Sequence, residues 1–493
     1  MTEPCDLPAV ATRALIGRRR LSRVELVDSC IARIEAVDHA VNAVVVRDFE
    51  RARDAARAAE RAVMSGSVLG PLHGLPVGIK DLENTSGLRT TYGSVLHRDH
   101  VPVQDDRSVA AIRAAGGIVL GKTNTPEWGA GANTRNLVYG ATGNPFDPSR
   151  SAAGSSGGSA VALACGMVPL ATGSDMGGSL RNPAAFCGVV GFRPSPGLVP
   201  DETRGQGWSP LAVLGPMARN VGDLALLLSV MAGADARDPL AATVPPDAAP
   251  LARPAPIDPS SLRVAATPDF GFAAMERVVV AAFEDKTAAM RDLFGVMEQA
   301  SPDCRGTDEA FAVLRALGFL GAHADQVRAQ PEPIGPNIRA NVAEAARYGA
   351  DDIARAFVTQ TAIYRRWQDF FTRFDVLLAP AMSITPRPWT ELYPSEIDGR
   401  VMASYYQWLA PAYAVSLVGH PALCLPVGRD ASGMPFGLQI IGPRGGDALV
   451  QRVATALEAT LAADARTARP VPDLAMLRAA PPLSGHPQFL TMG

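Results

Sequence analysis

The first 65 residues carry apolar side chains at helical spacing. The stretch SRVELVDSCIARIEAVDHAVNAVV repeats apolar positions every three or four residues, and Ser22 with Glu25 three positions later has the form of a helix N-cap. The next stretch, DFERARDAARAAERAVMSG, is rich in alanine and ends at Gly66. We therefore predict that residues 8–65 are helical.

From about residue 70 to residue 200 the pattern changes to short apolar runs broken by glycines. LPVGIKD is typical of a strand entering a loop, and DRSVAAIRAAGG of a helix with a glycine stop. IVLGKTN then predicts a second strand, which leaves that helix.

Strand and helix signals also alternate in the C-terminal half. Residues 235–262 are proline-rich and predict a surface connection, residues 263–300 alternate, and residues 301–372 are mainly helical with a break at 331–336. FDVLLAPA, HPALCLPVG and FGLQIIGP predict three strands, and DALVQRVATALEATLAA predicts a closing helix. With no internal repeat, this alternation predicts an α/β fold in which helices cover both faces of a sheet.

Composition fits a large enzyme-sized core and excludes several partners. Of the 493 residues, 47% are hydrophobic and 19% charged, and the net charge of −3 is spread without a basic stripe that would favour nucleic acid. No apolar run approaches 18 residues and the N-terminus is a poor signal peptide, so we expect a cytoplasmic protein with no membrane span. The six cysteines lie far apart and form no C-x-x-C pair, so we expect neither a zinc site nor a redox pair. We also expect no other metal and no cofactor.

Lysine is scarce in this chain. Of the 46 cationic residues only Lys80, Lys122 and Lys286 are lysine, and the rest are arginine. A genome-wide coding bias replaces surface lysines with arginine at little cost, but not where an amine must lose its proton, since arginine stays charged. Each remaining lysine is therefore a candidate for chemistry.

Two glycine–serine loops, AGSSGGS and GSDMGGS, lie within residues 151–197. A helix over 157–166 rises about 15 Å, and a strand of the length of 167–172 returns about 17–20 Å. Both loops are then at one end of the fold, and Ser155 and Ser179 become neighbours. Small residues before Ser179 also favour convergent backbone amides, the form of an oxyanion hole.

A nucleophilic serine needs a base, and the sequence offers two kinds. Gly154, Ser156 and Gly158 fit the G-x-S-x-G elbow of α/β-hydrolases, with His420 or His486 as base, but the strand expected before the elbow is missing. Lys80 follows apolar residues and glycine, so burial would lower its pKa and leave a neutral amine.

The octapeptide GGIVLGKT matches the phosphate-loop pattern G-x-x-x-x-G-K-T. Its order of helix, strand and loop is wrong for a phosphate cradle, because Ile-Val-Leu is typical of a buried strand. We therefore interpret Lys122 as a strand-end residue with a structural partner.

These motifs together resemble the amidase signature family over nearly the whole chain. The resemblance is densest in LPVGIKD, in GGIVLGKTNTPEWG, in the serine block of residues 139–197 and in GMPFGLQIIGP. It implies a mixed, twisted sheet flanked by α-helices and a Ser–cis-Ser–Lys triad. Two departures remove no triad member: Ala152-Ala153-Gly154 replaces Pro-Gly-Gly, and GFRPSPG replaces the commoner Leu-Lys-Pro-Thr wording.

Position by position, the resemblance implies Lys80 as base, Ser155 as bridging serine after a cis peptide bond from Gly154, and Ser179 as nucleophile. The oxyanion hole would comprise the amides of Met176, Gly177, Gly178 and Ser179. Supporting hydrogen bonds would come from Ser156, Asp175 and Arg181. Candidate pocket residues that flank this core are Trp128, Asn133, Tyr139 and Phe146, with others in 315–345 and 382–410.

The resemblance implies a single amidase domain that hydrolyses carboxamides, with anilides, carbamates and esters open to the same chemistry. Its expected segments are 1–65 (helices), 66–235 (triad core), 236–262 (connection), 263–372 (mainly helical, with part of the pocket) and 373–493 (closing strands and helix). We expect a small-molecule amide or acyl substrate, no nucleic acid, and a monomer or homodimer. The alternative is the A subunit of a glutamine-dependent aminoacyl-tRNA amidotransferase.

Overall fold

A computed structural model describes residues 3–241 and 249–491 of the chain. The helices are α1 Ala9–Gly17, α2 Arg23–Val41, α3 Phe49–Met64, α4 Arg107–Ala114, α5 Gly157–Ala164, α6 Arg181–Cys187, α7 Val221–Met231, α8 Ala249–Ala252, α9 Arg277–Met290, α10 Thr307–Ala329, α11 Pro336–Ala345, α12 Ala350–Phe371, α13 Ala410–Val418, α14 Asp447–Leu461 and α15 Leu474–Ala479. Part of the predicted connection 236–262, residues 242–248, lies outside the described residues.

The strands form one large sheet and three short hairpins. They are β1 Val44–Arg47, β2 Pro76–Lys80, β3 Ile118–Thr123, β4 Arg135–Asn136, β5 Gly140–Ala141, β6 Gly143–Asn144, β7 Asp147–Ser151, β8 Leu170–Asp175, β9 Val190–Arg193, β10 Val213–Ala218, β11 Arg263–Ala266, β12 Val296–Gln299, β13 Val376–Pro380, β14 Glu396–Ile397, β15 Arg400–Val401, β16 Ala422–Arg429 and β17 Pro435–Ile441.

The large sheet has 11 strands in the order β1-β3-β2-β8-β10-β9-β16-β17-β13-β11-β12. Pairing is parallel in β3-β2-β8 and in β13-β11-β12 and antiparallel elsewhere, so the sheet is mixed as predicted. Helices α5 and α6 contact each other and form one group against the sheet. Helix α7 contacts α4 and α14, and these three helices form a second group. Because α5 and α7 both contact β10 from these separate groups, helices cover both faces of the sheet.

The predicted helix from Ser22 begins as expected but ends earlier. Ser22 and Glu25 form a capping box on α2, and Asn42 in the left-handed conformation (φ 53°) ends the helix. The following β-branched run becomes β1, which pairs with β3 at the sheet edge. The prediction that residues 8–65 are all helical is therefore wrong at Val44–Arg47, where valine-rich sequence favours a strand.

Helix α5 is the element that positions the serines. All eight of its residues are buried, and their small side chains let it lie against β2, β3, β8 and β10. At Gly158 the backbone approaches another segment so closely that a Cβ would lie 2.2 Å from the Asn124 nitrogen. The central position of α5 thus depends on its glycine and alanine content.

Candidate active site

Lys80 is the last residue of β2 and its side chain is fully buried. Its side-chain nitrogen Nζ lies 2.6 Å from Ser155 Oγ, 2.9 Å from Ser156 Oγ and 2.9 Å from Ser174 Oγ. Its backbone N–H donates to the Thr172 hydroxyl at 3.0 Å, which fixes the strand end against β8. Three serine hydroxyls therefore surround one buried amine.

Burial lowers the pKa of the Lys80 amine to about 7, although the charges of Glu83 and Asp175 oppose the shift. Desolvation disfavours the charged form of an amine, and here it outweighs the two carboxylates. At neutral pH a substantial fraction of Lys80 is neutral and able to accept a proton. This is the property that a general base requires.

Ser155 lies at the turn that precedes α5, and the Gly154–Ser155 peptide bond is cis, as the sequence resemblance implied. Its side chain is 2% exposed. The neighbouring Ser156 is fully buried, and its backbone N–H donates to the Ser179 carbonyl oxygen at 3.2 Å. The two glycine–serine loops are thus joined at one end of the fold, as the lengths of α5 and β8 predicted.

The loop after β8 carries the predicted oxyanion amides. Gly178 has φ 105°, a left-handed conformation that favours glycine. Its N–H donates to Asp175 Oδ1 at 3.0 Å, which commits this amide to the carboxylate and away from a substrate oxygen. The four-amide oxyanion hole stays a prediction, and in this structure the amides of Met176, Gly177 and Ser179 are the candidate donors beside the one that contacts Asp175.

Asp175 ties this loop to the sheet. Its carboxylate accepts from the Arg181 guanidinium at 2.9 and 3.0 Å and from Arg193 at 3.2 Å, and all three side chains are fully buried. Burial alone would raise the pKa of Asp175, but the two guanidinium groups hold it well below its ordinary value. Asp175 is therefore ionised at neutral pH and gives the loop a fixed anchor.

A cavity of about 240 Å³ opens onto these loops. Its wall includes Ser155 and Ser174 beside Lys80, together with Met176, Gly177 and the half-buried Ser179. Aromatic and apolar side chains form another part of the lining, namely Trp128, Phe311, Phe319, Tyr405, Tyr406 and Leu409. The cavity also has charged residues in its lining, namely Glu83, Asp106, Asp175, Asp201, Glu202 and Arg315. It therefore combines aromatic surface with charged groups in front of the serine loops.

The sequence-based pocket candidates separate into two groups. Trp128 lies in the cavity wall, and so do residues of the segments 315–345 and 382–410. Asn133 lies outside it, where its amide donates to the carbonyls of Trp389 and Glu391. Tyr139 and Phe146 also lie outside it, with the guanidinium carbons of Arg89 and Arg429 at 5.3 and 4.8 Å from their ring centroids.

The rival bases do not reach the cavity. His420 is buried among Trp367 and Phe371, and its ring nitrogens contact the Gly442 carbonyl (2.8 Å) and Gln368 (3.1 Å). His486 packs edge-on against Trp389 at 4.7 Å. Ser156, the centre of the elbow pattern, contacts Lys80 and Ser174 and does not line the cavity.

The other two lysines have structural partners. Residues 118–123 form β3, so most of the phosphate-loop pattern lies in a strand. Lys122 is fully buried in this strand. Its amine donates to the Glu83 carbonyl and lies 4.0 Å from the Asp81 carboxylate. Lys286 is 6% exposed and pairs with Asp285 at 2.8 Å. Of the three lysines, Lys80 alone adjoins the serine loops.

Sequence reasoning missed several residues of this site. Ser174 and Thr172 hold Lys80, and the Thr172 hydroxyl in turn donates to the buried Glu83. Arg193 supports Asp175 from β9. The even spacing of Thr172 and Ser174 along β8 is a usable signal, because alternate residues of a strand share a face.

Known proteins resemble this chain along most of its length. The family model described as Amidase matches residues 25–450. Acylamidase from Rhodococcus erythropolis is 35% identical over 457 residues, covering 92% of this chain and 95% of that protein. The A subunit of glutamyl-tRNA(Gln) amidotransferase from Chloroflexus aurantiacus is 34% identical over 486 residues, covering 93% of this chain and 97% of that protein.

A solved structure extends the likeness to the fold. The structure of a bacterial aryl acylamidase of the amidase signature (AS) enzymes family has a TM-score of 0.85 and 28% identity, covering 92% of this chain and 96% of that one. The chain belongs to the amidase signature family, so the resemblance and the fold class are confirmed. It is a hydrolase that acts on amide C–N bonds.

Membrane insertion by a helix has no support in the structure. Within residues 3–241 and 249–491, no helix combines the length and apolar character needed to cross a bilayer.

Proposed function

We propose that the protein hydrolyses amides of small apolar or aromatic acids and amines through a Ser179 acyl-enzyme, with Ser155 as proton relay and Lys80 as base. The observation that carries the proposal is the buried Lys80 amine, which lies 2.6 Å from Ser155 and has a pKa of about 7. The similarity to an acylamidase and to an aryl acylamidase supports the substrate class.

The contacts of Lys80 indicate the direction of proton transfer. A neutral amine has two hydrogens and one lone pair, so it donates to two of its three hydroxyl partners and accepts from the third. Ser155 is the closest of the three, and its hydroxyl is the group that donates to the lone pair in this proposal. Ser156 and Ser174 then receive the two amine hydrogens and hold the lone pair towards Ser155.

The reaction proceeds in two halves. Ser155 takes the Ser179 proton as it passes its own to Lys80, and Ser179 Oγ attacks the amide carbonyl carbon. The Gly177 and Ser179 amides, with Met176, stabilise the oxyanion, and Ser155 returns a proton to the departing amine. Water then attacks the acyl-enzyme by the same relay and releases the acid.

The cavity wall supports the proposed substrate class. Its aromatic rings and Leu409 favour apolar acyl or aryl groups, because burying such groups removes apolar surface from water. Carbamates and esters present the same carbonyl to Ser179, and we propose them as secondary substrates.

The test is a hydrolysis panel of anilides, aliphatic amides, carbamates, esters and glutamine. Ser179→Ala is the blank, and Ser67→Ala, a change at an exposed serine outside the cavity, is the matched control. We expect Ser179→Ala to abolish turnover, Ser155→Ala to leave a trace, and Ser67→Ala to match the wild type. Normal amide hydrolysis by Ser179→Ala would overturn the proposal.

The second candidate is the A subunit of an amidotransferase, favoured by the 34% identity to the Chloroflexus aurantiacus protein. This function predicts glutamine as the preferred amide and co-purification with partner subunits. Glutaminase activity that appears only with such partners, together with negligible anilide hydrolysis, would establish it over the first candidate.

A further inference from the structure

Arg315 on α10 lines the catalytic cavity although it is only 6% exposed. Its guanidinium donates to the Asn341 side-chain oxygen and to the Tyr405 hydroxyl. Both partners are neutral, so neither balances the charge of the arginine. Burying an unbalanced charge is costly unless another group neutralises it.

Three aromatic rings surround the guanidinium. Its central carbon lies 4.5 Å from the Phe319 ring centroid, 4.8 Å from Tyr405 and 4.6 Å from Tyr406. Burial lowers the pKa of Arg315 to about 10, which still leaves it protonated at neutral pH. The rings orient the cation through cation–π contacts, which are weaker than a paired carboxylate.

Other buried arginines of this chain are satisfied differently. Arg181 and Arg193 share the Asp175 carboxylate, and Arg135 donates to backbone carbonyls including those of Trp389 and Thr390. Within the described part of the chain, no carboxylate lies within 4.0 Å of Arg315, and its partners are the two neutral side chains. Arg315 is also the arginine that borders the cavity with Ser155 and Ser179.

Glu344 is the carboxylate that acts on Arg315 from a distance. It lines a neighbouring acidic cavity, and it accepts hydrogen bonds from the hydroxyls of Tyr406 at 2.7 Å and Tyr348 at 3.0 Å. Tyr406 belongs to the walls of both cavities, so its side chain separates the Glu344 carboxylate from the catalytic cavity. On the catalytic side Arg315 lines the cavity, and none of the described carboxylates that share this cavity, such as Asp201 and Glu202, forms an ion pair with it.

We infer that Arg315 is a specificity-determining residue that binds a carboxylate carried by the substrate, so that the enzyme prefers amides whose acyl or amine part bears a negative charge. This inference rests on the proposed function, since it concerns the cavity in front of Ser179. A carboxylate on Arg315 would form the charge-assisted hydrogen bonds that Asn341 and Tyr405 do not supply.

The test compares charged and neutral substrates of matched shape. Glutaric acid mono-p-nitroanilide is paired with its terminal carboxamide, and 4-acetamidobenzoate with 4-acetamidobenzamide, which place the charge on the acyl and amine sides respectively. We expect the wild type to favour the charged member of at least one pair by about 10- to 100-fold in kcat/KM, the effect of a charged hydrogen bond. Arg315→Met should remove this preference, so that the ratio of kcat/KM between the charged and the neutral member of each pair falls to about 1.

Arg355→Met is the matched control, because Arg355 lines the neighbouring acidic cavity and pairs with Asp352 at its exposed end. The Arg355→Met variant should keep the preference for the charged substrates. Loss of that preference in this control would contradict a direct contact between Arg315 and the substrate carboxylate. Equal kcat/KM for both members of both pairs in the wild type would also overturn the inference, and this measurement needs no variant to fold. Ser179→Ala separates the two proposals: if it still hydrolyses these anilides, the proposed function fails, and if it does not, only the role of Arg315 is in question.

Discussion

Lys80 and Arg193 are two buried basic residues whose surroundings require different side chains. Arg193 supports Asp175 as a permanent cation. Lys80 instead has only hydroxyl partners and a pKa of about 7. A guanidinium cannot lose its proton at such a position, so the amine is retained where proton transfer is needed.

The pH dependence of turnover follows from Lys80. Its pKa is lowered from the ordinary value to about 7, so the amine is protonated below that pH and neutral above it. We expect kcat/KM to fall about tenfold per pH unit below pH 7 and to reach a plateau above it, because only the neutral amine accepts a proton.

The measurement is a kcat/KM profile between pH 5 and pH 9. Glu458 also has a pKa raised by burial to about 7, but it lies on α14 and accepts from the Val221 N–H. Glu458→Gln should therefore keep the profile of the wild type. A flat profile across this range would contradict the assignment of Lys80 as base.

Replacement of Lys80 by arginine should remove the base, because the guanidinium stays protonated and has no free lone pair to accept a proton. A general base contributes roughly 10²- to 10⁴-fold to a rate, and we expect Lys80→Arg to lose at least that much in kcat. Lys286→Arg is the matched control, since Lys286 contacts Asp285 and does not line the cavity. Activity of Lys80→Arg within tenfold of the wild type would exclude the proposed role.

At the scale of elements, the site depends on one helix and one strand of matched length. Helix α5 runs from the Ser155 loop and β8 returns to the Ser179 loop. Between them the backbones come so close that a Cβ at Gly173 would lie 2.8 Å from Ser156 Oγ. Small residues at this crossing therefore bring the two serine loops together.

The glycine pair before Ser179 offers a sharp test. A Cβ at Gly178, where φ is 105°, would lie 2.3 Å from Asn182 Oδ1 and 2.5 Å from the Ala412 Cβ, whereas at Gly177 the nearest atom is Phe311 Cζ at 3.6 Å. We expect Gly178→Ala to lower the free energy of unfolding by about 1–3 kcal/mol and to reduce kcat, because the loop must leave its conformation. For Gly177→Ala, chemical denaturation should show a loss of less than about 1 kcal/mol in the free energy of unfolding. Equal stability of the two variants would show that the loop conformation does not require glycine.

Sequence reasoning reached the elements that local pattern determines. The capping box of α2, the strands β2 and β3, and the neighbouring serine loops all follow from periodicity and segment length. The pocket followed only in part, because Asn133, Tyr139 and Phe146 flank the serine core in sequence but lie outside the cavity, against other segments of the chain. The commitment of the Gly178 amide to Asp175 depends on a side-chain rotamer that no sequence pattern specifies.

At the scale of the whole molecule, the ion cluster around Asp175 joins distant segments of the chain. Arg181 also donates to the Gln439 side chain of β17, to the Ala412 carbonyl and to the Ser416 hydroxyl. The loop of Ser179 is thereby attached to α13 and to the C-terminal strands. The position of Ser179, the proposed nucleophile, thus depends on elements more than 200 residues away.

Loss of the Asp175 charge should therefore destabilise the whole domain. Asp175→Asn leaves two buried guanidinium groups without a carboxylate, and breaking a buried pair costs about 3–5 kcal/mol. Asp464→Asn is the control, since its pair with Arg466 is exposed, and exposed pairs contribute about 0–1 kcal/mol. Denaturant unfolding followed by fluorescence measures the free energy of unfolding of both variants. A decrease of less than about 1 kcal/mol for Asp175→Asn would contradict a central role of the ion cluster.

The burial of the three lysines has a practical consequence for handling the enzyme. Lys80 and Lys122 are fully buried, and Lys286 is 6% exposed beside the exposed Asp285. Among the lysines of the folded protein, amine-directed reagents such as N-hydroxysuccinimide esters therefore reach at most the Lys286 amine. Coupling through lysine to an activated support would then use that one position and leave the buried amine beside Ser155 unmodified.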